Sequence, residues 1–323
     1  MTEDPKKPEE TTPKKRASQS WNQVERLVSA KEAREQQKQD LGISMRVLFM
    51  CGLPLKSIKE TFYKRSCGLF NLGILGHPEF GGVPFGQDRL IPIWLATAFV
   101  HLGCPENNTV EFIYMRDILR TFGLPADGPH YQRLREGLTR FAGAQFTVSE
   151  EVVNRRGKKG LHIEHLPLLR GCRLWYQDPQ SPEEAKDYDA PHRITLDHEW
   201  ADEIRKHPVP VDLNTVKALL THPGALDFYQ WQAWRSFFAK TTIRIPIFGP
   251  GGLLAQLGCL QGQETREVRR RLKEWQKLIK ICWPTCPNTL SREGDLFLVR
   301  PGQAITQSHQ NRFILRGLPG TPK

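Results

Sequence analysis

Cations recur through residues 264–282, ETREVRRRLKEWQKLIKIC, at Arg266, Arg270, Lys273, Lys277 and Lys280. Steps of three and four put them along one side of a helix, with Val268, Leu272, Trp275, Leu278 and Cys282 along another. Guanidinium and ammonium groups attract phosphate, and a guanidinium fork also pairs with a guanine edge, so a helix of this kind suits the major groove of a duplex. Recognition helices lead into the groove with their N-terminal half. Arg266, Arg269, Arg270 and Lys273 are therefore the candidates for base edges, and Lys277 and Lys280 for phosphate. A lone basic stripe also fits a merely solvated face, so its surroundings in the chain carry weight.

Arg155, Arg156, Lys158 and Lys159 surround Gly157 between two stretches of strand character, where glycine supplies the positive φ of a hairpin tip. Arg133 and Arg140 lie on the helical pattern just before that hairpin, and Arg292 sits at a later tip. Cations on a loop are often only a soluble surface. Their place directly after a helix-turn-helix pattern favours phosphate contact.

Other chemistry finds poorer support. A metal-assisted nicking tyrosine needs two histidines that share a metal, and the nearest pair, His162 and His165, falls on opposite faces of a strand. Cys282 and Cys286 have short spacing but no second pair of ligands beside them, and Cys282 already belongs to the apolar stripe. No GxxxxGK[ST] loop for nucleoside triphosphate occurs, and Gly249, Gly251 and Gly252 read as a helix entry. Scattered acids show no two-metal spacing. The expectation is a non-enzymatic protein with no catalytic residues, cofactor or metal.

A formal charge of +11 and a pI near 9.4 favour a polyanionic partner, either nucleic acid or an acidic membrane surface. No run approaches the ~20 apolar residues of a membrane helix, and no apolar signal core opens the chain, so a cytoplasmic protein without membrane contact is expected. The seven cysteines are scattered and odd in number, which suits reduced thiols. At 323 residues there is room for two domains, each with a core of its own.

Residues 1–20 mix prolines, lysines and acids and are expected to be disordered. A helix follows over 21–40 with Val24, Leu27 and Val28 as its apolar patch, then a core-bound stretch at 45–53 and a strand at 70–75. Asp88 is placed to N-cap a buried helix over 90–100 that ends at Gly103. A strand at 109–112, a short helix at 115–122, a turn and a helix at 129–141 come next, then strands at 145–153 and 161–169. Tyr131, Leu134, Leu138 and Phe141 are expected to face inward.

Proline and acid fill residues 177–191, which read as a linker or exposed loop. The pattern then starts afresh with a strand at 193–196, a helix capped by Asp197, and helices at 214–220 and 226–238. Phe228, Trp231, Trp234 and Phe237 on the last of these suggest a base-stacking platform, but their helical spacing favours core packing. A strand at 243–248, a short helix, the basic helix and a hairpin at 289–300 complete a second round of helix, short helix, basic helix and hairpin. The order is that of a winged helix, passed through twice.

Three blocks carry a resemblance: VPFGQDRLIPIWLATAF at 83–99, HPVPVDLNTVKAL at 207–219 and LDFYQWQAWRSF at 226–237. Over residues 49–291 the chain resembles the plasmid replication initiators of the RepA type, and most closely those of broad-host-range plasmids of incompatibility group W. Phe85 stands where the family has a tyrosine, which keeps a ring and removes a hydroxyl.

The resemblance implies binding to short repeats (iterons) in double-stranded plasmid origin DNA, opening of an adjacent AT-rich segment, and recruitment of the host initiator and replicative helicase. It also implies a homodimer in equilibrium with the monomer. A plain transcriptional repressor is the first rival reading, and an origin nickase the second. The expected fold is α+β, with two tandem winged-helix domains after a disordered N-terminal segment. Its divisions are an extension over 1–40, a first domain over 41–177, a linker over 178–191, a second domain over 192–301 and a tail over 302–323.

Overall fold

The computed structural model describes residues 13–67, 70–175, 191–257, 260, 262–306 and 312–313. A first helix, α1 (Pro13–Glu35), begins inside the stretch expected to be disordered. Its inner face is Leu27, Ala30 and Arg34, spaced at three and four, while Val24 and Val28 are 47% and 44% exposed. Next come β1 (Asp40–Ser44), α2 (Arg46–Met50), and the antiparallel pair β2 (Phe62–Cys67) and β3 (Phe70–Leu75). A 3-10 turn, Gly86–Arg89, leads directly into α3 (Leu90–His101), all but two of whose residues are buried.

Asp88 does not cap that helix. Its carboxylate accepts the Phe85 backbone N–H at 2.9 Å within the turn, and α3 starts two residues later without a side-chain cap. Beyond α3 lie β4 (Thr109–Phe112), α4 (Met115–Thr121), α5 (Gly128–Gly143), β5 (Gln145–Val153) and β6 (Lys159–Pro167). Gly123, at φ 64°, ends α4, and the Asp127 carboxylate accepts the His130 N–H at 3.0 Å to start α5. Leu138 and Phe141 are buried as expected, and Tyr131 and Leu134 are partly so.

The first half closes with β7 (Leu169–Arg173), and the second holds β8 (His192–Leu196), α6 (His198–Lys206), β9 (Val209–Asp212), α7 (Leu213–Leu219) and α8 (Pro223–Phe238). It continues through β10 (Ile243–Pro246), α9 (Leu253–Leu257), α10 (Thr265–Cys282), β11 (Thr289–Leu290), β12 (Leu296–Val299) and β13 (Arg312–Phe313). Among the described residues four sheets form, in the orders β13-β1-β9, β10-β12-β11, β2-β3-β5-β6 and β4-β8-β7.

Strand pairing crosses the expected boundary in both directions. The strand expected to open the second half, β8, pairs antiparallel with β4 and β7 of the first. In return β1 pairs with β9, and with β13 from the expected tail. The expected linker, apart from Pro191, lies outside the described residues. Buried side chains from Leu27 to Ala304 make one continuous core in place of two separate ones. The physical reason is α3, which is apolar on every side and has to be covered from both halves.

Packing also fastens the ends of the chain to its middle. Arg34 donates to the Ala304 carbonyl and, at 3.1 Å, to that of Gln303, and Gln39 Oε1 accepts the Thr306 N–H at 2.8 Å. The other end of that amide, Gln39 Nε2, donates to Asp212 at 2.6 Å. Burial raises the Asp212 carboxyl above its ordinary range, and Gln39 and Thr215 oppose that shift by hydrogen bonding. The α1 helix packs on both α7 and α10, so the docking of the N-terminal helix is onto the unit that carries the basic stripe.

Candidate nucleic-acid interface

Helix α10 buries Val268, Leu272, Trp275, Ile279 and Cys282, with Ile279 taking the place expected for Leu278. Trp275 fits against α8 because residue 224 is glycine: a Cβ there would lie 2.3 Å from the Trp275 ring. Burial of this stripe fixes the rotation of the helix, and with it the direction of the opposite face. Arg266, Lys273, Lys277 and Lys280 are all exposed on that face. None of the four has an acidic partner among the described residues.

The remaining cations of α10 are held. Arg270 reaches Glu267 through Nε at 2.8 Å and Nη2 at 2.6 Å, and Nη1 reaches Glu274 at 2.5 Å. Arg271 donates to Glu267 at 2.8 Å. These hydrogen bonds, Arg270 first and Arg271 second, pull the Glu267 carboxyl down from 4.5 to about 2, so it stays ionised at any working pH. Arg269 pairs with Asp295, donates to the Gly294 carbonyl at 3.3 Å and stacks 5.6 Å over the Phe248 ring. It fastens the helix to the hairpin tip, and Gly294 at φ 76° is the turn it grips. Arg292, on the same tip, is exposed.

The expected first basic helix, α5, is different. Arg133 is exposed, but Arg140 is buried and turned inward. Its Nε and Nη2 donate to Asp88 at 2.7 and 3.0 Å, and its guanidinium lies 4.7 Å over the Phe85 ring. Arg140 is therefore removed from the set of duplex contacts. It stands three residues after Gly137, on the side of α5 that Asp88, on another element, approaches. The Phe85 ring is the surface on which this guanidinium lies.

Beyond α5, the β5–β6 tip is ordered by its own backbone. Asn154 Oδ1 accepts the N–H groups of Arg156 and Lys158 at 3.0 and 2.9 Å, and Gly157 supplies φ 76°. Arg155, Arg156, Lys158 and Lys159 are all exposed and free of acidic partners among the described residues.

The two histidines of the nicking alternative both lie on β6, three positions apart, and His165 Nδ1 is 3.1 Å from Thr147 Oγ1. Tyr176 and Tyr188 lie outside the described residues. Burial pushes the Cys282 thiol up to about 12, the state least suited to a metal ligand, and Cys286 is 3.5 Å from Gln232 Oε1. No group of three or more metal-ligating side chains occurs among the described residues, and no helix among them is long and apolar enough to cross a membrane.

Periodicity missed the acids that hold Arg269, Arg270 and Arg271, although Glu267 and Glu274 stand at the three- and four-residue spacings where such pairs form. It also missed Asp88, Arg89 and Asp227, whose buried ion pairs join distant parts of the chain.

The chain is thus a mixed helix-and-sheet protein whose exposed chemistry is cationic and whose most elaborate buried chemistry is structural. Residues 91–243 match the family described as plasmid encoded RepA protein. The match takes in about half of the first quoted block and all of the other two, and it stops short of α10.

Among solved structures the chain is similar to domains 2 and 3 of RctB, at 14% identity and a TM-score of 0.48, over 70% of this chain and 79% of that one. A second structure of those domains, covering RctB 155–483, gives 11% identity and a TM-score of 0.47, over 78% and 94%. The search of curated proteins returned no match.

Proposed function

We propose that this chain is a non-enzymatic plasmid replication initiator that binds repeated sequences in double-stranded origin DNA through two winged-helix units. In this reading α8, β10, α9 and α10 with the β11–β12 hairpin form one unit, and α3, β4, α4 and α5 with the β5–β6 hairpin form the other. The sheet order β10-β12-β11 supports the first assignment, since the strand that precedes the reading helix pairs with the last strand of the hairpin.

The observation that carries the proposal is the outer face of α10, where Arg266, Lys273, Lys277 and Lys280 point to solvent with no acidic partner among the described residues. Phosphates along a groove are their natural complement. Origin opening, recruitment of the host initiator and helicase, a monomer–dimer equilibrium, action in the bacterial cytoplasm and kinship with group W initiators complete the reading. These rest on the family.

Hydroxyl-radical footprinting on the cognate plasmid origin tests it, combined with permanganate probing of the AT-rich segment. Protection of each repeat with permanganate-reactive thymines beside the array is expected. Protection without reactive thymines makes the protein a repressor, and a covalent protein–DNA adduct in magnesium makes it a nickase. No sequence-dependent protection ends the proposal.

A further inference from the structure

Two neighbouring residues in the turn Gly86–Arg89 hold one reading unit each. Asp88 takes the Arg140 fork of α5, and Gly137 lets it come close, for a Cβ on that glycine would lie 2.7 Å from Asp88 Oδ1. Arg89 turns the other way, into the second half. Its Nε and Nη2 donate to Asp227 on α8 at 2.9 and 3.1 Å, and it also donates to the carbonyls of Leu53, at 2.9 Å, and Gly86. Both side chains of the Arg89–Asp227 pair are 6% exposed. Gly52 closes the pocket, since a Cβ there would sit 2.3 Å from Asp227 Oδ2.

From Asp227 the connection runs on through α8 to the second reading helix. Gln232 Nε2 donates to Gln276 Oε1 of α10 at 2.9 Å, and Gln276 Nε2 donates to the Asn288 carbonyl at 3.1 Å. Asn288 Nδ2 in turn donates to Ser236 Oγ of α8 at 2.8 Å. Asn288 stands next to β11, so helix and hairpin are tied to α8 together.

Every charged or polar side chain in this chain of contacts is buried. Sliding one unit against the other would strand a charge or an amide away from water, so the arrangement has one satisfied setting.

We propose that Asp88 and Arg89 form a fixed joint that sets the distance and phase between α5 and α10, so that the protein measures the spacing of the two duplex segments it contacts. The inference rests on the reading above that both units meet DNA. It makes Asp88, Arg89 and Asp227 positioning residues, which touch no nucleotide and act through the helices they fix. Each inserted base pair moves a contact by about 3.4 Å and turns it by about 35°, since one helical turn takes ~34–36 Å and 10–10.5 base pairs. A rigid pair of units cannot follow such a change, whereas a hinged pair can.

The test uses the full chain and the footprinted repeat as a duplex, unaltered or with one, two or three base pairs inserted between its two protected segments. Titration of the wild type by fluorescence anisotropy is expected to show at least a tenfold loss of affinity at two inserted base pairs. Arg89→Lys, which keeps the charge and loses the fork, and Asp227→Asn are expected to bind the unaltered duplex with both segments protected, and to lose under threefold on insertion.

A wild type that tolerates two inserted base pairs within threefold overturns the joint without recourse to any variant. Folded variants that retain the tenfold penalty overturn the assignment to these residues. If only one segment of the unaltered duplex is protected, the two-unit reading has failed, and the joint falls with it. Should both variants fail to fold, the wild-type insertion series decides alone.

Discussion

The α5 unit and the α10 unit share an order of elements and differ in what their reading helices offer. On α10 the apolar stripe is complete, so its cations are forced outward, and four of them meet no acid among the described residues. On α5 the stripe is weaker, Tyr131 and Leu134 are only partly covered, and Arg140 is drawn inward by Asp88. What remains outside on α5 is Arg133 with Gln132 and Glu136, a nearly balanced surface. The first unit keeps its free cations on the hairpin tip, at Arg155, Arg156, Lys158 and Lys159. An arginine on a helix is available to DNA only if nothing inside the protein binds it better, and Arg140 of α5 is bound by Asp88 where Arg266 of α10 stays exposed.

The largest effect should separate the two arginine roles. Arg140→Ala leaves Asp88 buried without its partner, and breaking a buried pair in this way costs about 3–5 kcal/mol. Lys277→Ala, at an exposed site, should change stability by less than about 0.5 kcal/mol. Urea denaturation of both variants measures the difference, and equal stabilities would erase the contrast between the helices.

DNA affinity should show the reverse ranking. Each lost phosphate contact lowers the slope of log K against log salt by about 0.9, so Lys273→Ala with Lys277→Ala should flatten it by about two units. Replacing Arg155, Arg156 and Lys158 at the tip together should flatten it by about one to two, and Arg133→Ala by about one or less. A tip triple variant with an unchanged slope would leave the first unit with no role on the duplex.

The comparison also marks what the sequence made legible. Three- and four-residue spacing was enough to find the buried side of α10, because a single helix carries all the information. It erred by one position, Leu278 for Ile279, since neighbours on a helix lie only 100° apart. Phe237, expected in the core with Trp231, is 63% exposed because its spacing from the buried Phe228 carries it about half a turn round the helix, while Ser236 and Ala239 beside it stay buried. Pairings between distant residues were out of reach. Arg140 finds Asp88 across 52 positions, and Arg89 finds Asp227 across 138. The same holds for β8, whose alternation announces a strand and not its partners, β4 and β7.

The smallest expected effect sharpens the contrast most. On α10 the Glu267 carboxylate competes with DNA for Arg270 and Arg271, so Glu267→Gln should release cationic charge to the groove and steepen the salt slope by about one unit. On α5 the corresponding change, Glu136→Gln, frees nothing outward: its neighbour Arg140, 3.9 Å away, stays committed to Asp88, and the slope should not move. The pH behaviour follows from the depressed Glu267 carboxyl. A carboxyl lowered from 4.5 to about 2 keeps its ion pairs above the ordinary carboxylate range and loses them only as the pH falls through about 2. The affinity gap between Glu267→Gln and the wild type should therefore stay constant from pH 8 to pH 5. A gap that closes between those values would mean that Glu267 releases Arg270 within the working range, and that the held cations of α10 belong with the free ones.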